Sequence, residues 1–188
     1  QGTVRRVRQV QVDTPRFLLG ERPLSAAQRG TAMHLLMQYL DLNGPDPEEQ
    51  VRQLTERRLL TPQQAEAVDT ERIRAFLASP LAQEIRQALQ VWREYRFALL
   101  MPAALYDPAA EGEELMLQGV VDCAFRTGEG LVVVDFKTDR LAPGEEPQRA
   151  EEYRPQLEAY AQALERVMEE KVCRKVLYFF STGATINL

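Results

Sequence analysis

Hydrophobic positions recur with two different periods along the chain, and the period changes near residue 91. Before that point apolar residues recur every three to four positions, which is typical of helices with one buried face. A first helix is predicted from Ser25, as its N-cap, to about Leu40. Three more helices are predicted before the change, over about 47–59, from Thr61-Pro62 onwards, and from Ser79-Pro80 to about Gln90.

Beyond residue 91, short apolar runs bounded by turn residues replace the helical period and predict β-strands. The predicted strands cover Trp92 to Met101, Leu115 to Arg126, Leu131 to Lys137 and Lys171 to Ser181, with an amphipathic helix over about 150–170 before the last strand. A run of helices followed by β-β-β-α-β predicts an α/β domain around a mixed sheet.

A chain of 188 residues has the length of one domain with a substantial core. Residues 1–24 are irregular and contain five arginines, which favours a linker or arm that leads in from an upstream region. The domain itself is predicted over 25–188, with a helical part at 25–90 and the β-β-β-α-β core at 91–188. Because the chain begins at Gln1, we expect it to be a piece of a longer protein.

The net charge of −5 does not favour a free-standing nucleic-acid-binding protein, because affinity for phosphate comes mainly from Lys and Arg. No apolar run approaches the roughly 20 residues of a membrane span, and no signal peptide is evident, so no membrane partner is expected. Cys123 and Cys173 lie in apolar, strand-like runs, which favours two small buried side chains over a disulfide. Two thiols are too few for a typical iron–sulfur cluster, and the cytoplasm is the expected compartment.

Two aspartates lie on the predicted hairpin, one on each strand. If the loop is even-numbered and centred on Gly128-Glu129, Asp122 faces Asp135, with Cβ atoms roughly 5 Å apart. A three-residue loop would shift this register by one residue. Lys137 follows Asp135 by two residues, so its side chain projects from the same face of the strand.

Opposed carboxylates repel each other unless a positive charge lies between them. A divalent cation such as Mg²⁺ meets that need, since proteins hold it with one or two carboxylates together with phosphate and water. Lys137 beside the cation could then hold a water or stabilise charge on a phosphate. The alternative is an ordinary Asp–Lys pair at the end of a strand, and the facing position of Asp122 favours the site.

Two other features allow both a functional and a structural interpretation. His34 is the only histidine, and a lone helical histidine is more often a surface or core residue than a ligand; Gly30, one turn earlier, leaves room beside its imidazole. Gln156 and Tyr160 are i and i+4 on the predicted long helix, so they share a face, but that face also carries an ordinary packing stripe.

Four motifs in order resemble the nuclease core of the PD-(D/E)xK superfamily, and its RecB-type branch in particular. They are the helical RGTAMH that ends in His34, QGVVD from Gln118 to Asp122, VDFKT from Val134 to Thr138, and YRPQLEAY from Tyr153 to Tyr160. The phrase RGTAMHLLMQYLDL is especially similar to the C-terminal nuclease domain of AddA-type helicase–nuclease subunits. The resemblance covers nearly the whole chain.

The resemblance implies a restriction-endonuclease-like fold and a set of site residues. His34, Asp122, Asp135 and the backbone carbonyl of Phe136 would bind Mg²⁺ or Mn²⁺, with Lys137 as the catalytic lysine. Gly119 takes the place of the motif glycine, where a bend or close backbone approach is expected. Glu94 lies where relatives often have an acidic residue, although a surface glutamate is an equal alternative. Thr138, Gln156 and Tyr160 are expected beside the DNA.

The resemblance also implies a function: metal-dependent hydrolysis of DNA, with single strands as the expected substrate, in the processing of double-strand breaks. The implied partners are DNA, a helicase motor upstream in the same polypeptide and an AddB-like subunit. No Gly-rich phosphate loop occurs in these residues, so a motor would lie outside them. Two alternatives stay open: an inactive nuclease fold retained for DNA binding or subunit docking, and a scaffold with a buried polar network.

Overall fold

The computed structural model describes residues 24–102, 104, 109, 112 and 114–188, so the predicted arm at 1–24 lies outside it except for Leu24. The helices of the described part are α1 (Ala26–Tyr39), α2 (Pro47–Glu56), α3 (Pro62–Ala67), α4 (Thr70–Leu77), α5 (Pro80–Gln87) and α6 (Glu146–Met168). Its strands are β1 (Gln90–Pro102), β2 (Glu114–Thr127), β3 (Gly130–Lys137), β4 (Val172–Phe179) and β5 (Ala184–Asn187).

The five strands form one mixed sheet in the order β1-β2-β3-β4-β5. All neighbours are antiparallel except β3 and β4, which are parallel because α6 forms the crossover between them. The predicted α/β class and the α-β-β-β-α-β order are therefore confirmed. Strand β5, an edge strand of four residues, was not predicted.

Capping residues set the helix boundaries in the N-terminal part. Ser25, Thr61 and Ser79 each accept a hydrogen bond from a first-turn amide, as predicted. The segment that follows Thr61 divides into two helices because Asp69 caps a second start at α4. Helix α5 ends at Gln87, three residues earlier than predicted, since β1 already begins at Gln90.

Helix α6 begins at Glu146, about four residues before the predicted start. The loop prolines caused this error, because Pro147 lies in the first turn, where its missing N–H costs nothing. A second proline, Pro155, lies inside the helix.

The two faces of the sheet carry separate hydrophobic clusters. One face packs against α1–α5, with Phe76 surrounded by the rings of Phe136, Tyr178 and Phe180. The other face packs against α6, which contributes the buried side chains Leu157, Ala163 and Leu164. The sheet is thus covered on both sides, and polar side chains reach its strands where α1 and α6 approach them.

Both cysteines are free thiols, as predicted. Cys123 is buried, but Cys173 is exposed, so the prediction of two buried cysteines is wrong for the second one. The Cys173 side chain lies outside the hydrophobic clusters, and its Sγ contacts the Leu131 carbonyl oxygen at 3.3 Å. Among the described residues, no helix has both the length and the apolar content needed to cross a membrane.

Candidate functional site

The β2–β3 hairpin has the even-numbered register that places two aspartates opposite each other. Its ladder runs from Thr127 facing Gly130 to Cys123 facing Val134, and Asp122 and Asp135 are the next residues on the two strands beyond its end. Beyond the ladder, the Asp122 side chain replaces the backbone as the partner of β3, because its Oδ2 accepts a hydrogen bond of 2.8 Å from the Phe136 amide. The predicted register is confirmed, and the carboxylates meet where regular pairing stops.

A third carboxylate lies on the neighbouring strand β1, where Glu94 occupies the position opposite Asp122 in the register. Glu94 has φ 49°, a left-handed conformation that is unfavourable for a non-glycine residue. On β2, Val121 packs on the α6 side and Cys123 on the opposite side, although residues two apart normally share a face. The strands are therefore irregular where Glu94 meets Asp122, and such irregularity is common at functional sites.

The His34 side chain extends from α1 to Asp122 and Glu94. Its Nδ1 lies 3.2 Å from Asp122 Oδ1. Ligand atoms of His34, Glu94 and Asp122 all lie within 4.8 Å of one another, which is close enough for one cation to contact all three. The structure thus assembles one imidazole and two carboxylates from three separate elements.

Gly30 has a different neighbour from the one predicted. A Cβ at this position would lie 3.0 Å from Thr138 Oγ1, so its small size serves the approach of α1 to the end of β3. Gly30 was expected to make room for the His34 imidazole, and the structure shows Thr138 as its neighbour instead. The consequence is similar, because the close approach brings His34 to the strands.

Asp135 and Lys137 form a nearly buried pair beside Asp122. Lys137 Nζ lies 2.5 Å from Asp135 Oδ2, and the two side chains are 12% and 7% exposed. The contact is an ion pair, although its alignment is not that of a good hydrogen bond. The Lys137 charge offsets part of the cost of burying the Asp135 carboxylate.

The helix pair Gln156 and Tyr160 joins the site through Lys137. Lys137 Nζ donates to Gln156 Oε1 at 3.1 Å, and Gln156 Nε2 donates to the Tyr160 hydroxyl at 3.0 Å. Tyr160 also packs edge-on against Phe97, with ring centroids 5.7 Å apart. Tyr160 therefore contacts the site through its hydroxyl group and packs against the sheet with its ring.

Gly119 permits the packing of those two rings. A Cβ on Gly119 would lie 2.8 Å from Phe97 Cζ and 3.0 Å from Tyr160 Cε1. The expected close approach at this glycine is thus present, with side chains rather than backbone as its neighbours.

Among the residues that were not assigned roles from the sequence, Tyr153, Asp139 and Arg149 form one connected group beside Lys137. Tyr153 places the centroid of its ring 3.7 Å from Lys137 Nζ, and its hydroxyl donates to Asp139, which also accepts from Arg149. The strand period offered a clue for Asp139, which follows Lys137 by two residues. Nothing in the sequence indicated that Arg149 lies near it, because that depends on how α6 is seated.

Burial and neighbouring charges shift the pKa values of four groups in the site. Burial, together with the Asp122 charge, raises the pKa of Asp135 to about 7. Burial alone would raise the pKa of Asp122, but the His34 contact and the Phe136 amide hold it below its usual range. Burial lowers the pKa of His34, yet the Asp122 contact and the surrounding carboxylates more than offset this and raise it. Burial and the Asp122 charge also raise the pKa of Glu94. The Asp122 charge therefore opposes ionisation of both Asp135 and Glu94.

These side chains line one open cavity of about 820 Å³ between α1, the sheet and α6. Of the predicted site residues, the cavity brings together His34, Asp122, Asp135, Lys137, Thr138, Gln156 and Tyr160, with Phe136 in its wall. Glu94 borders an adjoining cleft that shares His34, Asp122 and Thr138 with the cavity. The Phe136 side chain points into the aromatic cluster and is 3% exposed.

A mixed sheet with paired aspartates and a lysine where α1 and α6 converge has the fold and site layout of a restriction-endonuclease-like nuclease. The family model described as the PD-(D/E)XK nuclease superfamily matches residues 4–186. The chain belongs to this superfamily.

Curated relatives confirm the predicted resemblance to one branch. The chain is 43% identical over 183 residues to an AddA-type ATP-dependent helicase/nuclease subunit of Acetivibrio thermocellus, covering 95% of the chain and 15% of that protein. It is 41% identical to the corresponding protein of Desulforudis audaxviator, covering 90% and 14%. The corresponding Bacillus velezensis protein is 36% identical, with 93% and 15% covered. The chain thus spans about one seventh of the length of these relatives.

Proposed function

We propose that the protein is a divalent-metal-dependent deoxyribonuclease and hydrolyses phosphodiester bonds in this cavity. The observation that carries the proposal is the meeting of Asp122, Asp135 and Lys137, with His34 3.2 Å from Asp122. Membership of a nuclease superfamily supports it, as do relatives named helicase/nuclease subunits. In those relatives the matching region is a minor part of a much longer chain.

The donor set suits Mg²⁺ or Mn²⁺. His34, Asp122 and Asp135 are the proposed protein ligands together with the Phe136 carbonyl, and Glu94 stands close enough to His34 and Asp122 to contribute. Carboxylate and carbonyl oxygens suit Mg²⁺ and Mn²⁺, and an imidazole is compatible with Mn²⁺. One feature fits a cation: the carboxylates of Glu94, Asp122 and Asp135 crowd one another, and the Asp122 charge adds to burial in raising the pKa of the other two.

A cation held there would act as a Lewis acid, which would activate water and neutralise charge on the scissile phosphate. The protein's own contribution is orientation. Lys137 presents an ammonium that donates hydrogen bonds to the attacking water or to a phosphate oxygen as negative charge develops on it. Gln156, which is itself bonded to the Tyr160 hydroxyl, holds that ammonium from α6. Thr138 lies at the cavity wall, where the DNA backbone would pass.

The substrate we propose is single-stranded DNA, cut from an end as a helicase motor delivers it. With a net charge of −5, the domain does not capture DNA by charge alone, and a tethered motor would raise the local concentration of strand at the cavity. The names of the relatives support a motor in the same polypeptide. The same proposal includes an AddB-like partner, a role in double-strand-break repair and a cytoplasmic location.

The test is cleavage of an end-labelled single strand and of the matching duplex by the purified protein with Mg²⁺, Mn²⁺ or EDTA. Asp135→Ala and Lys137→Ala are expected to lose cleavage. Lys171→Ala is the matched control, because Lys171 is exposed and lies outside the cavity. Product lengths over time then distinguish exonucleolytic from internal cutting.

Cleavage that persists in EDTA or in Asp135→Ala would overturn the assignment. A folded wild-type protein that binds DNA and Mn²⁺ but does not cut, even when joined to its motor, would instead indicate an inactive nuclease fold used for DNA binding or docking.

A further inference from the structure

Lys137 is held by three neighbours of different chemistry. Its Nζ lies 2.5 Å from Asp135 Oδ2, donates to Gln156 Oε1 at 3.1 Å, and sits 3.7 Å from the centroid of the Tyr153 ring. The third contact has the geometry of a cation–π interaction. Lysine has a long, flexible side chain, so its ammonium occupies one place only if such contacts define it.

The Tyr153 ring is itself fixed at its far end. Its hydroxyl faces both oxygens of Asp139, at 3.0 and 2.9 Å. Arg149 donates to Asp139 Oδ1 at 2.8 Å and to the Tyr153 hydroxyl at 3.0 Å, so the three polar groups form a closed triangle. Tyr153 and Arg149 are one helical turn apart on α6, whereas Asp139 follows β3. The triangle therefore links the Tyr153 ring on α6 to the end of β3, where Lys137 lies.

The ring differs from the other two neighbours in what it requires of the site. Asp135 is a proposed metal ligand, and its attraction for Lys137 weakens when its charge is shared with a cation. Gln156 divides its amide between Lys137 and the Tyr160 hydroxyl. The Tyr153 ring is uncharged and binds no metal, so its attraction for the ammonium persists when the carboxylates are occupied.

We propose that Tyr153 is a positioning residue for Lys137, and that Asp139 and Arg149 hold the Tyr153 ring against the ammonium. This inference deepens the proposed nuclease function and, for its effect on cleavage, rests on it. The structural half, a lysine held under an aromatic ring, stands without the reaction.

The chain allows the structural half to be measured directly, because Lys137, Lys171 and Lys175 are its only lysines. Protein labelled with ¹³C at lysine Cε gives three ε-methylene signals, and Lys137→Arg identifies the one from Lys137. That signal is expected upfield of the other two, because the ring current shields it. In Tyr153→Leu it should move back towards them, and in Tyr153→Phe it should stay shielded. A Lys137 signal that is unshifted in the wild-type protein, or unmoved in Tyr153→Leu, would overturn the proposal.

The catalytic half is measured by steady-state cleavage of single-stranded DNA with saturating Mn²⁺. Tyr153→Leu is expected to lower kcat by about ten- to a hundredfold, the scale of a misplaced catalytic group, while KM changes by less than about threefold. Tyr153→Phe keeps the ring but loses its bonds to Asp139 and Arg149, so it should recover part of that loss. Asp139→Asn should likewise fall between the wild-type protein and Tyr153→Leu, because it loosens the ring without removing it. Thermal melts of each variant establish that it folds.

Each unfavourable outcome has its own meaning. If Tyr153→Phe is as impaired as Tyr153→Leu, the hydroxyl matters and the ring does not, which overturns the cation–π role. If KM rises while kcat holds, Tyr153 binds DNA and the positioning role is wrong. A wild-type protein that does not cut removes the proposed nuclease function, and the lysine signals still decide whether the ring holds Lys137.

Discussion

His34 Nδ1 lies 3.2 Å from Asp122 Oδ1, so the single histidine of the chain connects helix α1 to the middle of the sheet. The other two groups that lie close enough to share a cation with it, Glu94 and Asp122, form a cluster of carboxylates on neighbouring strands. The imidazole is the one nitrogen ligand that the described residues bring to that cluster. Its removal therefore separates the metal hypothesis from a simple packing role for α1.

His34→Ala is expected to weaken Mn²⁺ binding by about tenfold or more, since even the partners of metal ligands commonly contribute that much. Isothermal titration of the metal-free protein with MnCl₂ measures the effect. Gln38→Ala, one turn further along α1, is the control and should bind Mn²⁺ like the wild-type protein. Equal affinity in both variants would show that His34 only packs between α1 and Asp122.

Asp135 makes the stability of the metal-free protein depend on pH. Burial and the Asp122 charge raise its pKa from 3.8 to about 7, so the folded state holds this proton more tightly than the unfolded state. Stability is thus expected to fall as pH rises from about 4 to about 7. Asp122, whose pKa is lowered, acts only below its ordinary value of 3.8, outside this window.

Asp135→Asn removes that titration, so in EDTA at pH 7.5 it should unfold at a higher urea concentration than the wild-type protein. The slope that remains in the variant comes from Glu94 and His34, whose pKa values are both raised: the contribution of Glu94 is lost as pH rises above 4.5, and that of His34, complete below pH 6.5, is lost as pH rises further. Urea unfolding from pH 4 to 8 measures both effects. A variant less stable than the wild-type protein at pH 7.5 would mean that Lys137 already neutralises the Asp135 carboxylate.

The strand arrangement at the site was accessible from the sequence for a simple reason. A hairpin loop of even length fixes which residues face each other, so Gly128-Glu129 was enough to place Asp122 against Asp135. The N-caps Ser25, Thr61 and Ser79 are likewise local, because each bonds to an amide within its own first turn. Local rules of this kind predicted most of the element starts.

What the sequence left undetermined depends on how distant elements come together. The hydrogen bond from Lys137 to Gln156 and the triangle of Asp139, Arg149 and Tyr153 follow from the position of α6 on the sheet. The left-handed backbone of Glu94 depends on its strand neighbour, so the residue type at this position could not predict it. Strand β5 has four residues, too few for its alternation to stand out.

Glu94 gives a test of whether backbone strain is retained for the site. A left-handed non-glycine residue costs about 1–2 kcal/mol, which glycine does not incur. Glu94→Gly should therefore be more stable than Glu94→Gln by about 1 kcal/mol, although both lose the carboxylate and should bind Mn²⁺ more weakly. Urea unfolding gives the stabilities and titration gives the affinities.

The control for this comparison is Arg96, an exposed neighbour on β1 whose φ is negative. There Arg96→Gly should be less stable than Arg96→Gln, because glycine in an extended strand loses more conformational entropy. The same order of stabilities at both positions would show that the Glu94 backbone is not strained.

Gly119 is the position where packing and site geometry depend most directly on one missing methyl group. In Gly119→Ala the new Cβ would meet Phe97 Cζ at 2.8 Å and Tyr160 Cε1 at 3.0 Å, so one ring must move. We expect a loss of about 1–3 kcal/mol in the free energy of unfolding, measured by urea denaturation, and weaker DNA cleavage as Tyr160 shifts away from Gln156. Gly128→Ala is the control, because a Cβ there meets nothing within 4 Å. Phe97→Leu should restore part of the stability in the double variant, since the shorter side chain vacates the contact; strictly additive losses would show that the two residues do not compete for this space.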